Sequence, residues 1–506
     1  MQNIDWHRRA VLAAMAALAV RPGAAVDAHA VVHDDPFALG VASGDPASDG
    51  FVLWTRLVGR GGMPLDRGAI PVGFEVADDA QFRHIVRTSS QVAHPQAGHS
   101  VHVELTGLRP GRHYWYRFHA LGATSPTGRT ATAPMRADRM RLALTSCQHW
   151  ELGWFGAYRD MIAADPDIIV QVGDYIYEQS YPDQPKVRAF GADEPRDLAG
   201  YRARYALYRS DPDLREAHRL FPWLVTWDDH EVWNDYAALA NREGLPPHVF
   251  AARRAAAYQA YFEHMPIRPS LWRSLSTPRL YRGVDWGDLA SLSMLDTRQY
   301  RSSPPCADPM LARNVRLDRC TDRLRPDRSM LGTAQEFWVE ERLARETRPW
   351  TLLAQGVFFA PLALDASGDA VFSDQWDGHI AGRDRLLEHM AQPSVRNAVV
   401  LSGDVHSFWV NSLARAGSGH PIVGTEIITS ALAAQSPPPG RFGNVQDNNP
   451  HIRFSNVDRT GYVLINLDLK HMAAQFRAID ARSPQPKFDI LAELHQDAGA
   501  DIPTID

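Results

Sequence analysis

Four short apolar runs each end in a residue able to hold a cation: Cys147, Asp174, Asp229 and Asp404, with Tyr177, His230 and His406 close behind. A thiolate, a phenolate, an imidazole and a carboxylate around one ion suit Fe(III), because three anionic donors offset its charge and lower its potential. Further carboxylates suit a second, harder divalent ion such as Ca2+, which takes oxygen ligands almost exclusively. Asp174 and Asp229 are the natural residues to touch that second ion, with one carboxylate able to bridge both. A two-metal site clamps the oxygens of an in-line displacement at phosphorus and supplies a metal-bound hydroxide near neutral pH. His230 directly follows Asp229, so it is better suited to binding a phosphoryl oxygen or protonating the leaving group than to sharing the same ion.

Plainer readings stand beside these. Asp174 alone reads equally as a capping residue with a packed Tyr177 behind it, and Asp228 as the cap of the following turn. Glu231 reads as a supporting or surface group. Asn234 and Asp235 serve a turn as readily as a cation, and Asp374, Asp377 and His379 of DQWDGH sit in a polar turn that can also bind. Four such residues at four strand ends are hard to attribute to capping alone.

The elements that must position these groups change character along the chain. From residue 31 to about 137, alternating runs such as Gly50–Thr55, Val72–Val76 and His113–Phe118 lie between Gly and Pro turns, the rhythm of an antiparallel β-sandwich. LTGLRPGR, Leu105 to Arg112, reads as the turn of a fibronectin-like module. From about residue 138 to 470 the order becomes strand, loop, helix. Strands are expected at 141–147, 167–172, 222–227, 288–295, 350–357 and 397–402. Helices are expected at 154–164, 198–208, 213–219, 249–264 and 334–345. That order predicts a layered α/β domain whose ligands stand at the carboxyl ends of strands. A helical turn after Gly173 would bring Tyr177 back towards Asp174. The tail, 471–506, with Phe488, Ile490, Leu491 and Leu494, is expected to form one amphipathic helix.

At 506 residues the chain has material for two or three domains, and its 45% hydrophobic and 22% charged content is that of a soluble globular protein. A net charge of -6 argues against a nucleic-acid-binding face. Residues 1–30 read as a leader: Arg8-Arg9 precede the apolar run Ala10–Val20, and Ala28-His29-Ala30 offers a cleavage site. The paired arginines resemble a twin-arginine signal, a route that carries folded proteins; an uncleaved anchor or a plain Sec signal is the alternative. The apolar run is too short for a comfortable membrane span, and the mature chain offers no other. In an oxidising destination Cys306 and Cys320 are plausible disulfide partners, leaving Cys147 as an inert buried thiol or a metal ligand.

Together the stretches FALGVASGDPASDGFVLWTRL, LTSCQ, QVGDYIYE, YRARYALYRSDPDL, WDDHEVWNDY, LDTRQYR, LGTAQEFW, QWDG, LSGDVH and TGY, spanning Phe37 to Tyr462, resemble the calcineurin-like metallophosphoesterases. The likeness is greatest to the PhoD-type alkaline phosphatase/phosphodiesterase family. It implies an N-terminal β-sandwich before a two-sheet α/β catalytic sandwich flanked by helices, with one Fe(III) and Ca2+. Carried onto this chain, iron takes Cys147, Asp174, Tyr177 and His406, calcium takes Asp174, Asp229 and Asp404, and His230 stands where the family has its transition-state histidine. Purple acid phosphatases carry Asp where Cys147 stands and His where Asp404 stands, which favours iron with calcium over iron with zinc. Where many relatives have Tyr after Trp-Asp-Gly this chain has His379, and Cys306–Cys320 lies in what resembles a lineage-specific insertion.

The expectation is an exported phosphohydrolase, periplasmic or secreted, that cleaves small or polymeric phosphate monoesters or diesters by in-line attack of a metal-bound hydroxide, with the twin-arginine machinery as its export partner. The alternatives are a phospholipase D-like phosphodiesterase acting on lipid or cell-wall polymer and, more remotely, a non-catalytic calcium-binding export protein.

Overall fold

The computed structural model describes residues 35–506 apart from 273, 275–276, 307–314, 317–319, 366–369, 416–419, 438–441 and 443–444. The leader expected at 1–30 lies outside the described residues.

Short runs rich in Val, Ile, Leu and Ala become largely buried strands. Arg139–Thr145, Ile168–Val172 and Pro222–Thr226 pair in parallel at the centre of a ten-stranded sheet. Ala290–Met294, Trp350–Ala354, Ala398–Ser402 and Ile422–Ile428 form the parallel core of a seven-stranded one. The two sheets share an apolar core in which Leu142, Val170 and Val172 from the first meet Leu292, Leu352 and Leu401 from the second. Helices cover both outer faces. Leu198–Arg209 and Pro212–Leu220 pack on the first sheet through Tyr201, Tyr205 and Leu214, and Thr333–Ala344 and Ile380–Met390 pack on the second through Val339, Leu343 and Leu387. Asp197 and Asp211 cap the first pair of helices by accepting the N–H groups of Gly200, and of Asp213 and Leu214. This is the two-sheet, helix-flanked α/β architecture that the sequence predicts. Among the described residues no helix is long and apolar enough to cross a membrane.

The N-terminal strands form a sandwich, but one of its faces is shared. Ile70–Ala77, Ile85–Ala93, His113–Ala120, Ala123–Thr124 and Gly128–Ala131 make a separate antiparallel sheet. Val41–Ala47, Gly50–Arg56 and Ser100–Leu105 face it across Phe51, Leu53, Phe74 and Phe118. These three strands also complete the ten-stranded sheet, because Ser43 and Gly44 pair with Pro222 and Trp223.

The tail helix is a correction. Phe488–Asp497 is a strand, paired antiparallel with His471–Ile479 across a bulge at Phe476/Arg477, and Thr504–Ile505 pairs beyond it. The spacing of Phe488, Ile490, Leu491 and Leu494 satisfies either period. The strictly alternating strand His471–Ile479 offers an open edge, and pairing there buries Ala492 and Leu494 while Phe488 and Ile490 stay exposed. Tyr177 is a second correction: no helical turn follows Gly173, and the backbone bends instead.

Candidate metal and phosphoester site

The carboxyl ends of the central strands of both sheets converge on one cavity of about 340 Å3, lined by Asp174, Asp229, His230, Asn234, Asp235, Asp374, Asp404 and His406 among others. Glycines allow the approach. Gly173 has φ 114°, and a Cβ there would lie 2.4 Å from Asp228 Cβ; one on Gly403 would lie 2.6 Å from Ser146 Oγ. Cys147, Asp174, Asp404 and His406 all adopt left-handed backbone conformations (φ 56°, 56°, 68° and 54°). Side chains other than glycine reach that region only at a cost, and such residues gather where function holds them.

Three groups of potential ligands lie close enough to share ions: Cys147, Asp174 and His406; Asp174, Asp229 and His230; and Asp228, Asp229 and Asp404. Tyr177 Oη is 2.9 Å from both Asp174 Oδ2 and His406 Nε2, and Cys147 Sγ is 3.5 Å from Asp174 Oδ2. His406 Nδ1 donates to the Gln435 carbonyl at 2.8 Å, which leaves Nε2 facing the cluster. All seven residues singled out in the sequence are therefore brought together.

The chemistry of this donor set fits cations. Asp174 Oδ1 and Asp229 Oδ1 are buried and accept no hydrogen bond. Burial, then neighbouring negative charge, pushes the Asp174 carboxyl and the Cys147 thiol well above their usual values; burial does the same to the Tyr177 phenol, and Asp404 rises to about 7. These four donors favour their neutral forms until a multivalent cation reverses the balance, whereas Asp229, despite its burial, is held below its usual range by Arg298, His230 and the Asp235 N–H.

Several partners were missed or half-read in the sequence. Glu178, fully buried, sits with Oε2 2.6 Å from His230 Nδ1, while its Oε1 accepts the Asn234 N–H at 2.8 Å. Burial opposes a charge on His230, but Tyr181, Glu178, Asp229 and Asp174 outweigh it and hold the imidazole well above its usual range. The only advance signal for Glu178 was its place in QVGDYIYE. Glu231 is no surface group: its carboxylate accepts the N–H groups of Asp174, Tyr175 and Asp228 at 3.1, 2.7 and 2.9 Å, lashing two strand ends together. Asp228 does more than cap a turn, since it forms a two-point pair with Arg298 at 2.6 and 2.9 Å. Fully buried Arg298 also reaches Asp374 at 2.8 Å, Asp229 at 3.7 Å and Asp404 at 3.8 Å. Its guanidinium is the counter-charge of the cluster, and LDTRQYR gave no hint beyond its basicity.

The DQWDGH turn divides. Asp374 lines the cavity and pairs with Arg298 and Arg301. Asp377 turns inward to the Leu362 N–H and Arg383, and buried His379 does not line the cavity. Cys306 and Cys320 form a disulfide, and Cys147 is free and buried.

A family model for the PhoD-like phosphatase matches residues 142–476, and one for the PhoD-like phosphatase N-terminal domain matches residues 23–134. The chain is 41% identical over 464 residues to alkaline phosphatase D of Bacillus subtilis (strain 168), spanning 88% of this chain and 78% of that protein. The solved structure of PhoD superposes with a TM-score of 0.87 at 38% identity, over 91% of this chain and 90% of that one.

Proposed function

The chain belongs to the PhoD-like phosphatase family and is a phosphoric-ester hydrolase, and from that premise we propose that it works as an exported alkaline phosphatase or phosphodiesterase that uses iron and calcium. The observation that carries this reading is the close cluster of sulfur, phenol, imidazole and carboxylate donors, with Asp174 Oδ1 and Asp229 Oδ1 buried and left without hydrogen-bond partners. Cys147, Asp174, Tyr177 and His406 would hold Fe(III); Asp174, Asp229 and Asp404 would hold Ca2+. When bound, the cations neutralise charge on the phosphoryl oxygens and activate water for in-line attack.

The chain's own residues do the rest. Glu178 takes the Nδ1 side of His230, so Nε2 faces the cavity and can hold a proton for the departing oxygen. Arg298 balances Asp228 and Asp374, which leaves Asp229 and Asp404, a longer reach away, for other partners. Glu231 fixes the backbone after Gly173 and Trp227 so that Asp174 and Asp229 keep their spacing. The Arg8-Arg9 leader and the Cys306–Cys320 disulfide support an oxidising destination outside the cytoplasm.

The test is hydrolysis of 4-nitrophenyl phosphate against bis(4-nitrophenyl) phosphate at mildly alkaline pH with Ca2+. Turnover of either supports the reading, and the faster one sets the ester class. Metal-loaded protein that turns over neither would overturn it.

A further inference from the structure

A second cavity, of about 250 Å3, lies against the first and shares Asp235 and Asp374 with it. The charges on this shared wall are already matched. Arg242 pairs with Asp235, whose N–H donates to Asp229 Oδ2 at 2.5 Å, and Arg298 and Arg301 take the Asp374 carboxylate. Beyond the wall the lining is mostly apolar: Leu239, Ala240, Leu245, Pro247 and Pro304. The loop that presents Leu245 is built rather than loose, because the Asn241 side chain accepts the Leu245 N–H at 2.9 Å and donates to its carbonyl at 3.1 Å. An apolar cavity of roughly 150 Å3 is enough to hold a benzene ring, so this one has room for an aryl group or a short alkyl chain.

His230 lines the first cavity and not the second. An oxygen leaving beside His230 therefore departs from the first cavity, and an organic group in the second is one that stays on phosphorus. We infer that the second cavity is a subsite for the retained arm of a phosphodiester, selecting an aryl or short alkyl group. This rests on the phosphohydrolase reading above and sharpens it. In the reaction, the water oxygen bonds to phosphorus and the bond from phosphorus to the departing oxygen breaks with its electron pair. The departing oxygen or the medium takes the water proton, and the retained arm stays as a phosphate monoester.

The probe is a series of phosphodiesters with 4-nitrophenolate as the constant leaving group and methyl, butyl or phenyl as the retained arm. 4-Nitrophenyl phosphate, which has no second arm, is the control. Metal-loaded protein should show kcat/KM rising by roughly tenfold or more from methyl to phenyl. Leu245→Trp and Ala240→Trp should each flatten that rise while monoester turnover stays within about twofold of the parent, a control that also reports folding. A phenyl-to-methyl ratio near one in the parent, or one unchanged in both variants with monoester turnover intact, would overturn the subsite. Turnover of the monoester without any diester would overturn it too while leaving the phosphatase reading standing. Turnover of no ester at all would overturn both.

Discussion

Two buried polar regions of this molecule are built on opposite terms. At the seam between the N-terminal strands and the helix Pro247–His264, the charged groups Arg56, Arg202 and Glu263 all have partners. Arg56 donates to the Gly98 carbonyl at 2.8 Å and lies 2.6 Å from His264 Nε2. Glu263 receives Arg202 twice at 2.6 Å, and Trp54 donates to the Glu263 carbonyl at 3.0 Å. At the carboxyl ends of the central strands, like charges crowd together, two carboxylate oxygens lack hydrogen bonds and four ligand-type residues sit in left-handed backbone. The seam is complete as protein. The strand-end cluster is complete only with cations, and the difference separates polar groups kept for stability from those kept for chemistry.

If that contrast is right, substitutions in the two regions should fail in opposite ways. The largest effect belongs to Asp229→Asn, which should lower kcat by about a thousandfold or more. Thermal unfolding of the metal-free form should stay level or rise in Asp404→Asn, because burial and the Asp229 charge push that carboxyl up to about 7 and removing its charge relieves repulsion. Next, His230→Asn should cost about a hundredfold or more. The loss should deepen for esters with poorer leaving groups, and Glu178→Gln should follow the same leaving-group trend with a smaller loss. Both are read from kcat across an aryl phosphate series. At the seam the pattern inverts. Arg202→Ala leaves the buried Glu263 carboxylate without its ion pair, with the Gln259 amide as its remaining side-chain donor at 2.8 Å, and should destabilise the fold by about 3 kcal/mol in denaturant unfolding, with kcat per folded molecule unchanged.

The smallest effect is a pH slope. Burial pushes His102, stacked on Phe262 and bonded to the Met265 carbonyl, from 6.5 down to about 4. Between those values the unfolded chain binds a proton that the folded one refuses, so this contribution to stability is present above pH 6.5 and is lost as pH falls towards 4. His102→Gln should flatten the fall in melting temperature over that window. An unchanged slope would mean that His102 does not set it.

What the sequence made legible follows the same divide. Strand ends carrying Asp174, Asp229 and Asp404 stood out because a largely apolar run followed by Gly-Asp or Asp-Asp has few other uses, and the order of strands and helices carried a layered α/β domain, while its two sheets were implied by the family resemblance. Glu178 and Arg298 stayed silent, and Glu231 read only as a supporting or surface group, because their roles come largely from partners far along the chain. Arg298 lies 70 positions from Asp228 and 76 from Asp374, and no local spacing encodes that. The tail was misread because its apolar spacing suits a helix as well as a strand, and only the open edge of His471–Ile479 decides between them. The N-terminal sandwich read as self-contained because local alternation says nothing about which neighbour completes a sheet.

The most direct measurement combines elemental analysis and a visible spectrum of the purified protein with its rate on 4-nitrophenyl phosphate, before and after exhaustive chelation. The account predicts bound iron and calcium, a tyrosinate-to-iron band that disappears in Tyr177→Phe, and activity that falls with the metals and returns with them. A colourless, metal-free protein that hydrolyses the ester at an undiminished rate would contradict it.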